Sequence, residues 1–160
     1  PPPGGATFDA LVRFVEQGGG LLVGLDERSA WPNGDAAVIG GSFGSPTSRT
    51  EARGGSLGYL DFAHPVFELF QGPRGGDFTG ARFFRYRPFA PDSTADVLAR
   101  FDDGSVALSE NRYGEGRVLV WAGGLMEAVA GRAAWSRYQL IERKPLPGRE
   151  RSWVWRFRGA

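Results

Sequence analysis

The chain reads as an α/β domain whose sheet runs into a β-meander, and three stretches predict it. Thr7 to Arg28 reads TFDALVRFVEQGGGLLVGLDER, in which a helical apolar period gives way to a glycine run and then to a short continuous apolar strand. Residues 97–101, 106–110 and 117–121 are three β patterns joined by Asp102-Asp103-Gly104 and Gly114-Glu115-Gly116, both turn sequences able to supply positive φ. With 160 residues, 41% hydrophobic and 23% charged, there is material for one ordinary domain with a core.

The elements follow in order. Thr7 is placed to cap the first helix, with Asp9 in the first turn where a carboxylate suits the helix dipole. Phe8, Leu11, Val12 and Val15 recur at i, i+3, i+4 and i+7, so one face of that helix is buried. Gly18-Gly19-Gly20 ends it, because glycine takes left-handed angles at little cost. Leu21–Leu25 is apolar on both sides, the pattern of an interior parallel strand covered by helices.

Residues 26–58 are rich in Gly, Ser and Pro, with Trp31-Pro32-Asn33-Gly34 as a turn, and predict a long loop. Leu57–Phe62 predicts a short strand. His64-Pro65 then opens an apolar turn, Val66–Phe70, with Pro at the first helical position. Gln71–Gly76 is a further loop. Arg82–Arg87 alternates Arg with Phe and Tyr in a β pattern, and Val118–Trp121 predicts a strand returning to the sheet interior.

Beyond Gly124 the pattern changes. Leu125–Ala134 fits a small-residue helix, Pro145 and Pro147 break the segment between Lys144 and Gly148, and Trp153–Arg158 alternates aromatic and Arg without turn support. The charge changes too: residues 1–124 hold 11 Lys+Arg against 15 Asp+Glu, and residues 125–160 hold 8 against 3. The expected division is an α/β domain over 1–124 and an atypical Arg/Trp-rich C-terminal segment over 125–160.

Several function classes are excluded at this level. Zero cysteines exclude disulfides, thiolate metal sites and a cysteine nucleophile. No apolar run approaches the roughly 20 residues that cross a bilayer, and no charged-then-apolar signal segment is present. The chain opens on Pro1-Pro2-Pro3 rather than Met, which suggests a piece of something longer.

Three segments carry a resemblance: FVEQGGGLLVGLDER, FAHPVFELF and ADVLARFDDGSVALSENRYGEGRVLVWAGGL. Together, over Phe8 to Leu125, they resemble the class I glutamine amidotransferase-like domain of flavodoxin-like architecture. The form they resemble most is the non-catalytic one in bacterial aerotolerance-regulator (BatA-type) membrane proteins, and the trehalose-utilisation-like branch shares the glycine run and the His-Pro pair. The resemblance implies a three-layer sheet, incomplete at the N-terminus, with the β-meander near residues 81–121 as an addition. In catalytic members an apolar-Gly-apolar-Cys strand presents the nucleophile, and here Val23-Gly24-Leu25-Asp26 stands in that place. A carboxylate there does not readily attack a glutamine amide. Leu125–Ala160 departs from the way that family continues towards a membrane span.

The candidate chemistry is sparse. In open α/β sheets ligands gather beyond the carboxyl ends of the strands, which here means Asp26, Glu27 and Arg28, with His64 as the possible fourth member. His64 is the only histidine, so any general base must be His64. Capping or packing at the start of the 65–70 turn is the favoured reading, since no nucleophile sits in an elbow nearby. Asp26 and Glu27 with Asp61 form a weak oxygen set for Mg²⁺ or Ca²⁺, and solvated loop charges are preferred. Arg82, Arg85 and Arg87 among Phe83, Phe84 and Tyr86 suggest base stacking less than a strand with its aromatics partly in the core.

The expectation is therefore a non-catalytic interaction or small-ligand module of a larger bacterial, membrane-anchored protein. No cofactor, no metal, no nucleic acid and no membrane span of its own are expected. Its partners would be other domains of the same protein or a membrane complex. The alternative is a hydrolase of the amidotransferase-like superfamily using Asp26, Ser42 or Ser45 with His64.

Overall fold

The computed structural model describes residues 5–25, 36–51, 54–70, 78, 80–123, 138–146 and 149–159. They divide into two compact units, Pro1–Ala128 and Val129–Ala160.

The first unit is mixed α/β and strand-rich. Its helices are α1 (Ala6–Glu16) and α2 (Ala36–Ile39), with a 3₁₀ turn, η1 (Pro65–Phe70). Its strands are β1 (Gly20–Gly24), β2 (Gly41–Phe43), β3 (Thr47–Ser48), β4 (Leu57–Leu60), β5 (Arg85–Tyr86), β6 (Phe89–Pro91), β7 (Asp96–Phe101), β8 (Val106–Tyr113) and β9 (Gly116–Trp121). Seven form one sheet with the path β1-β9-β8-β6-β2, in which β7 also pairs with β8 and β4 with β7. Strands β3 and β5 make a separate antiparallel pair. The β7–β8–β9 meander turns at Gly104 (φ 84°) and Gly114 (φ 59°), as the two Gly-containing turn sequences require.

Helix α1 begins at Gly5, not at a Thr7 cap: Thr7 lies inside the helix, and no side chain caps its first turn. Phe8 and Val15 are buried, and the glycine run ends the helix with Gly18 at φ 100° before β1 starts at Gly20. The register then sorts the strands into two faces. Leu21 and Val23 stand opposite Val118 and Val120, on the face to which Asn111 also belongs. Asn111 donates from Nδ2 to the carbonyls of Ala37 and Val38, which fixes α2 on this face. A Cβ on Gly116 would meet the Val15 carbonyl at 2.1 Å, so only glycine lets α1 settle against β9. Both described α-helices therefore cover the same face.

Two expectations are corrected. Strand β1 was expected inside the sheet with both faces covered, yet it pairs only with β9 and so forms the margin of the described sheet. Its Leu22 is 54% exposed, because among the described residues no helix covers the second face there. Residues 26–58 were expected as one long loop, but they contain α2, β2 and β3, elements too short to leave a periodic signal. The Trp31–Gly34 turn, the Gln71–Gly76 loop and the Leu125–Ala134 helix lie outside the described residues.

On the second face an aromatic cluster closes the far side of the sheet. Phe101 stacks with Tyr86 at 4.4 Å between ring centroids, and Phe83 meets Phe101 and Trp121 at 5.4 Å each. Phe83 and Tyr86 are buried, so the 82–87 aromatics do belong to the core, and Arg87 lies over the Phe43 ring at 4.4 Å while donating to the Gly44 carbonyl. The Tyr86 hydroxyl donates to Asp103, and Arg49 pairs with Asp102 and Asp103. Residues 102–103 are thus a hairpin turn and also an anchor for the segment that follows β3.

The second unit is an antiparallel ribbon of β10 (Tyr138–Leu146) and β11 (Arg149–Gly159). Pro145 and Pro147 had suggested a break in all structure. Instead β10 runs through Pro145 and pairs with β11, and Pro147 lies outside the described residues. The pairing with β10 places the Trp153–Arg158 alternation in a strand.

The anchor at residues 102–103 is pH-sensitive. Burial pushes Asp103 up, but the Tyr86 hydroxyl, the Ser105 N–H and hydroxyl and the Arg49 guanidinium outweigh it, leaving the carboxyl below its ordinary value. A carboxylate held low stabilises the fold above about pH 4, and that stabilisation is lost as pH falls through the lowered value. Tyr86 is pushed up, first by burial and then by its bond to Asp103. Its contribution is complete below about pH 10 and is lost as pH rises through the raised value. Tyr86→Phe should cost about 1–2 kcal/mol at neutral pH, and the difference from wild type should shrink in acid as Asp103 protonates. Urea unfolding of both proteins across the acid range measures this.

Candidate functional site

The sequence placed its candidate site beyond the carboxyl end of β1, at Asp26, Glu27 and Arg28. These three lie outside the described residues. The fourth candidate, His64, is described, and its ring contacts Glu110 and the Val66 N–H.

His64 ends a tight turn that Asp61 begins. Asp61 Oδ1 accepts from the Ala63 N–H at 3.1 Å, and the His64 N–H donates to the Asp61 carbonyl. The ring is thereby brought over the second face of the sheet, where its Nε2 lies 3.3 Å from Oε2 of Glu110. Its Nδ1 accepts from the Val66 N–H at 3.3 Å, which caps the first turn of η1. A nitrogen that accepts from an N–H carries no proton, so this geometry places the ring proton on Nε2, facing the carboxylate.

Glu110 is buried in the interior strand β8, and its other oxygen, Oε1, accepts from Arg117 Nη1. A buried carboxylate needs both charge compensation and hydrogen bonds. Here the guanidinium supplies the first, and the two contacts together supply the second. The cross-strand register adds a constraint. Arg117 stands directly opposite Arg112, and Glu110 lies two residues before Arg112 on the same face. The register thus sets two arginines directly opposite each other across β8 and β9 with Glu110 on the same face, and like charges in directly opposed positions are unfavourable.

Register also locates the cluster. Leu22, Leu119 and Glu110 occupy one row across β1, β9 and β8, while Arg117 is opposite Gly20 at the start of β1. The constellation thus sits over the middle and amino end of β1, not at its carboxyl edge. Nor does the register bring Ser42 of the hydrolase alternative near. Ser42 lies in β2, which reaches β8 only through β6 at Val106, four residues or about 13 Å of strand from Glu110. Asp61 is engaged in its own turn, and among the described residues no group of three or more His, Cys, Asp or Glu side chains is arranged to hold a metal ion.

Neither Glu110 nor Arg117 had been singled out from the sequence, where both read as ends of β patterns. The available signal was Leu108-Ser109-Glu110-Asn111-Arg112, since a strand position between two buried neighbours rarely carries a charge without a partner.

No protein-family model matches the chain, and no curated protein matches it in sequence. Solved structures do match in fold. The cytoplasmic protein STM3548 from Salmonella typhimurium superposes with a TM-score of 0.60 at 20% identity, over 72% of this chain and 48% of its own. A second, STM1381 from Salmonella typhimurium LT2, gives 0.59 at 16% identity over 75% and 50%. A cold-adapted β-galactosidase from Rahnella sp. R3 gives 0.54 at 16% identity, over 81% of this chain but 20% of the enzyme. The chain thus spans about half the length of the Salmonella proteins and a fifth of the glycosidase. At these identities the likeness concerns the fold alone.

The charge balance around Glu110 is testable. Glu110→Gln keeps the shape but leaves Arg112 and Arg117 opposed without an anion, and should cost about 1–3 kcal/mol. Arg112→Gln made in that background should recover part of the loss, a coupling that a double-mutant cycle from urea midpoints reads directly.

Proposed function

We infer that this domain is a non-catalytic interaction or small-ligand module of a larger bacterial protein, anchored to a membrane through other parts of that protein. One observation carries the reading: both ring nitrogens of the only histidine are occupied, Nε2 by Glu110 and Nδ1 by the Val66 N–H. A general base must offer a free nitrogen to the proton that it removes. His64 offers none, so it acts as a strut between the 61–70 segment and the sheet.

Two further observations support the module reading. The fold recurs as a fifth of a much longer glycosidase chain, so it is compatible with service as one part of a larger protein. No helix among the described residues is long and apolar enough to cross a membrane, so an anchor would come from elsewhere. The flavodoxin-like, amidotransferase-like identity of the sheet belongs to this proposal. It draws on the glycine run before β1 and on the parallel β1–β9 pair, with Asp26 in the nucleophile's place. On this reading Asp26, Glu27, Arg28 and the 29–58 segment form the ligand-facing rim, and partners are other domains of the same protein or of a membrane complex.

The test is reactivity. Incubated with a fluorophosphonate probe, p-nitrophenyl esters and glutamine, the chain should show no labelling and no turnover above buffer. His64→Ala should change stability but none of these readouts. Labelling of a serine that His64→Ala abolishes would replace this reading with the hydrolase alternative.

A further inference from the structure

Among the described residues no helix covers the second face of the sheet at β1 and β9, and the composition of that face specifies what would cover it. All-parallel sheets occur almost only with both faces covered, usually by helices. The β1–β9 pair is parallel, and its first face is covered by α1 and α2. Its second face presents Leu22, 54% exposed, beside the partly buried Leu119 in the next strand. The adjoining row holds Arg117, whose side chain is 55% exposed, opposite the exposed Arg112. Glu110 answers Arg117, whereas the Arg112 side chain has no ion-pair or hydrogen-bond partner among the described residues. The patch therefore lacks two things, an apolar cover for the leucines and a second anion for the opposed guanidiniums.

We propose that this face docks an amphipathic helix from a partner protein or domain, one that lays leucine-type side chains on Leu22 and Leu119 and places a carboxylate between Arg112 and Arg117. A helix is the element that covers parallel strands, and its apolar stripe matches a short row of leucines. The charge pattern selects against a second copy of this chain. A two-fold contact through the same patch would bring four guanidiniums together, with both available carboxylates already buried and used. A small anion satisfies Arg112 but leaves Leu22 in water, so the acidic helix accounts for both features. The inference rests on the interaction-module reading and adds to it a surface and a partner chemistry.

The probes are two synthetic helical peptides about 20 residues long, long enough to hold helix in water. Each carries Leu at i, i+3, i+4 and i+7; one is flanked by Glu and the other by Lys at the same positions. Fluorescence anisotropy against the full chain should show the Glu peptide binding about tenfold or more tighter than the Lys peptide, with the preference weakening in salt. Leu22→Asp, at an exposed position that the fold tolerates, should weaken the Glu peptide by about ten- to a hundredfold. Arg112→Glu should reverse the preference between the two peptides while leaving the thermal midpoint equal to or above wild type.

Three results would overturn the proposal: no binding of the Glu peptide, equal binding of both peptides, or binding indifferent to Leu22→Asp. Self-association of the wild-type chain that Leu22→Asp abolishes, without peptide binding, would assign the face to a second copy and overturn it as well. Each outcome is separable from the fate of the module reading. A chain that binds neither peptide and stays inert to the fluorophosphonate keeps the module and loses the face, whereas serine labelling removes the module whatever the peptides do.

Discussion

A carboxylate in the middle of a sheet has to be neutralised where it stands, and Glu110 sets that condition for this domain. It lies in β8, flanked by strands on both sides and nearly sealed from solvent. Water cannot solvate it, so its two oxygens take their partners from the protein, one from the neighbouring strand and one from the 61–70 segment. The second choice has structural consequences. Holding His64 Nε2 against Glu110 turns Nδ1 towards the Val66 N–H, and that contact satisfies a donor which the first turn of η1 would otherwise leave open. One buried charge thereby fixes the ring, the entry of η1 and the position of Phe67 over the sheet.

The two faces of the sheet are built on different terms. Val118, Val120 and Ala122 with Leu21 and Val23 make an apolar surface on which α1 settles closely, because Gly116 leaves room for the Val15 carbonyl. The other face mixes the aromatic cluster of Phe83, Tyr86, Phe101 and Trp121 with the charged group at Glu110. Towards β1 this face thins to Leu22 and two arginines. A sheet sealed equally on both faces would have no such asymmetry. This one concentrates its unmet demands at the edge strand.

What the sequence disclosed follows from the range of its signals. The α1–glycine–β1 unit and the meander were legible because their information is local: a 3.6-residue period, and positive φ at Gly104 and Gly114. The short elements α2, β2, β3 and β6 were not, since two to four residues hold no period and these segments depend on partners distant in the chain. The exposure of Leu22 was hidden for a related reason. An apolar strand reads as interior whether or not its second neighbour and second cover are present. Of the site, only His64 was foreseen. Its partner Glu110 and the Arg117 that pairs with Glu110 lie 46 and 53 positions further along the chain than His64, and the β8–β9 register brings those two together.

Two ionic clusters among the described residues balance their charges differently. At the β7–β8 turn, Asp102 and Asp103 meet Arg49, Tyr86, Ser56 and Ser105, so donors outnumber the two carboxylates and each charge is answered inside the cluster. Both carboxyls are held below their ordinary value there despite the burial that opposes it. Such a cluster is complete, and its effect is to hold the segment after β3 against the hairpin. At Glu110 the arithmetic runs the other way, with one carboxylate for two guanidiniums and a histidine. The buried side of that cluster is closed by the His64 and Arg117 contacts to Glu110, while on the solvent side Arg112, Arg117 and Leu22 are exposed. The register alone produces that asymmetry, because it sets Arg112 opposite Arg117 and leaves Glu110, two residues away on the same face, to answer Arg117.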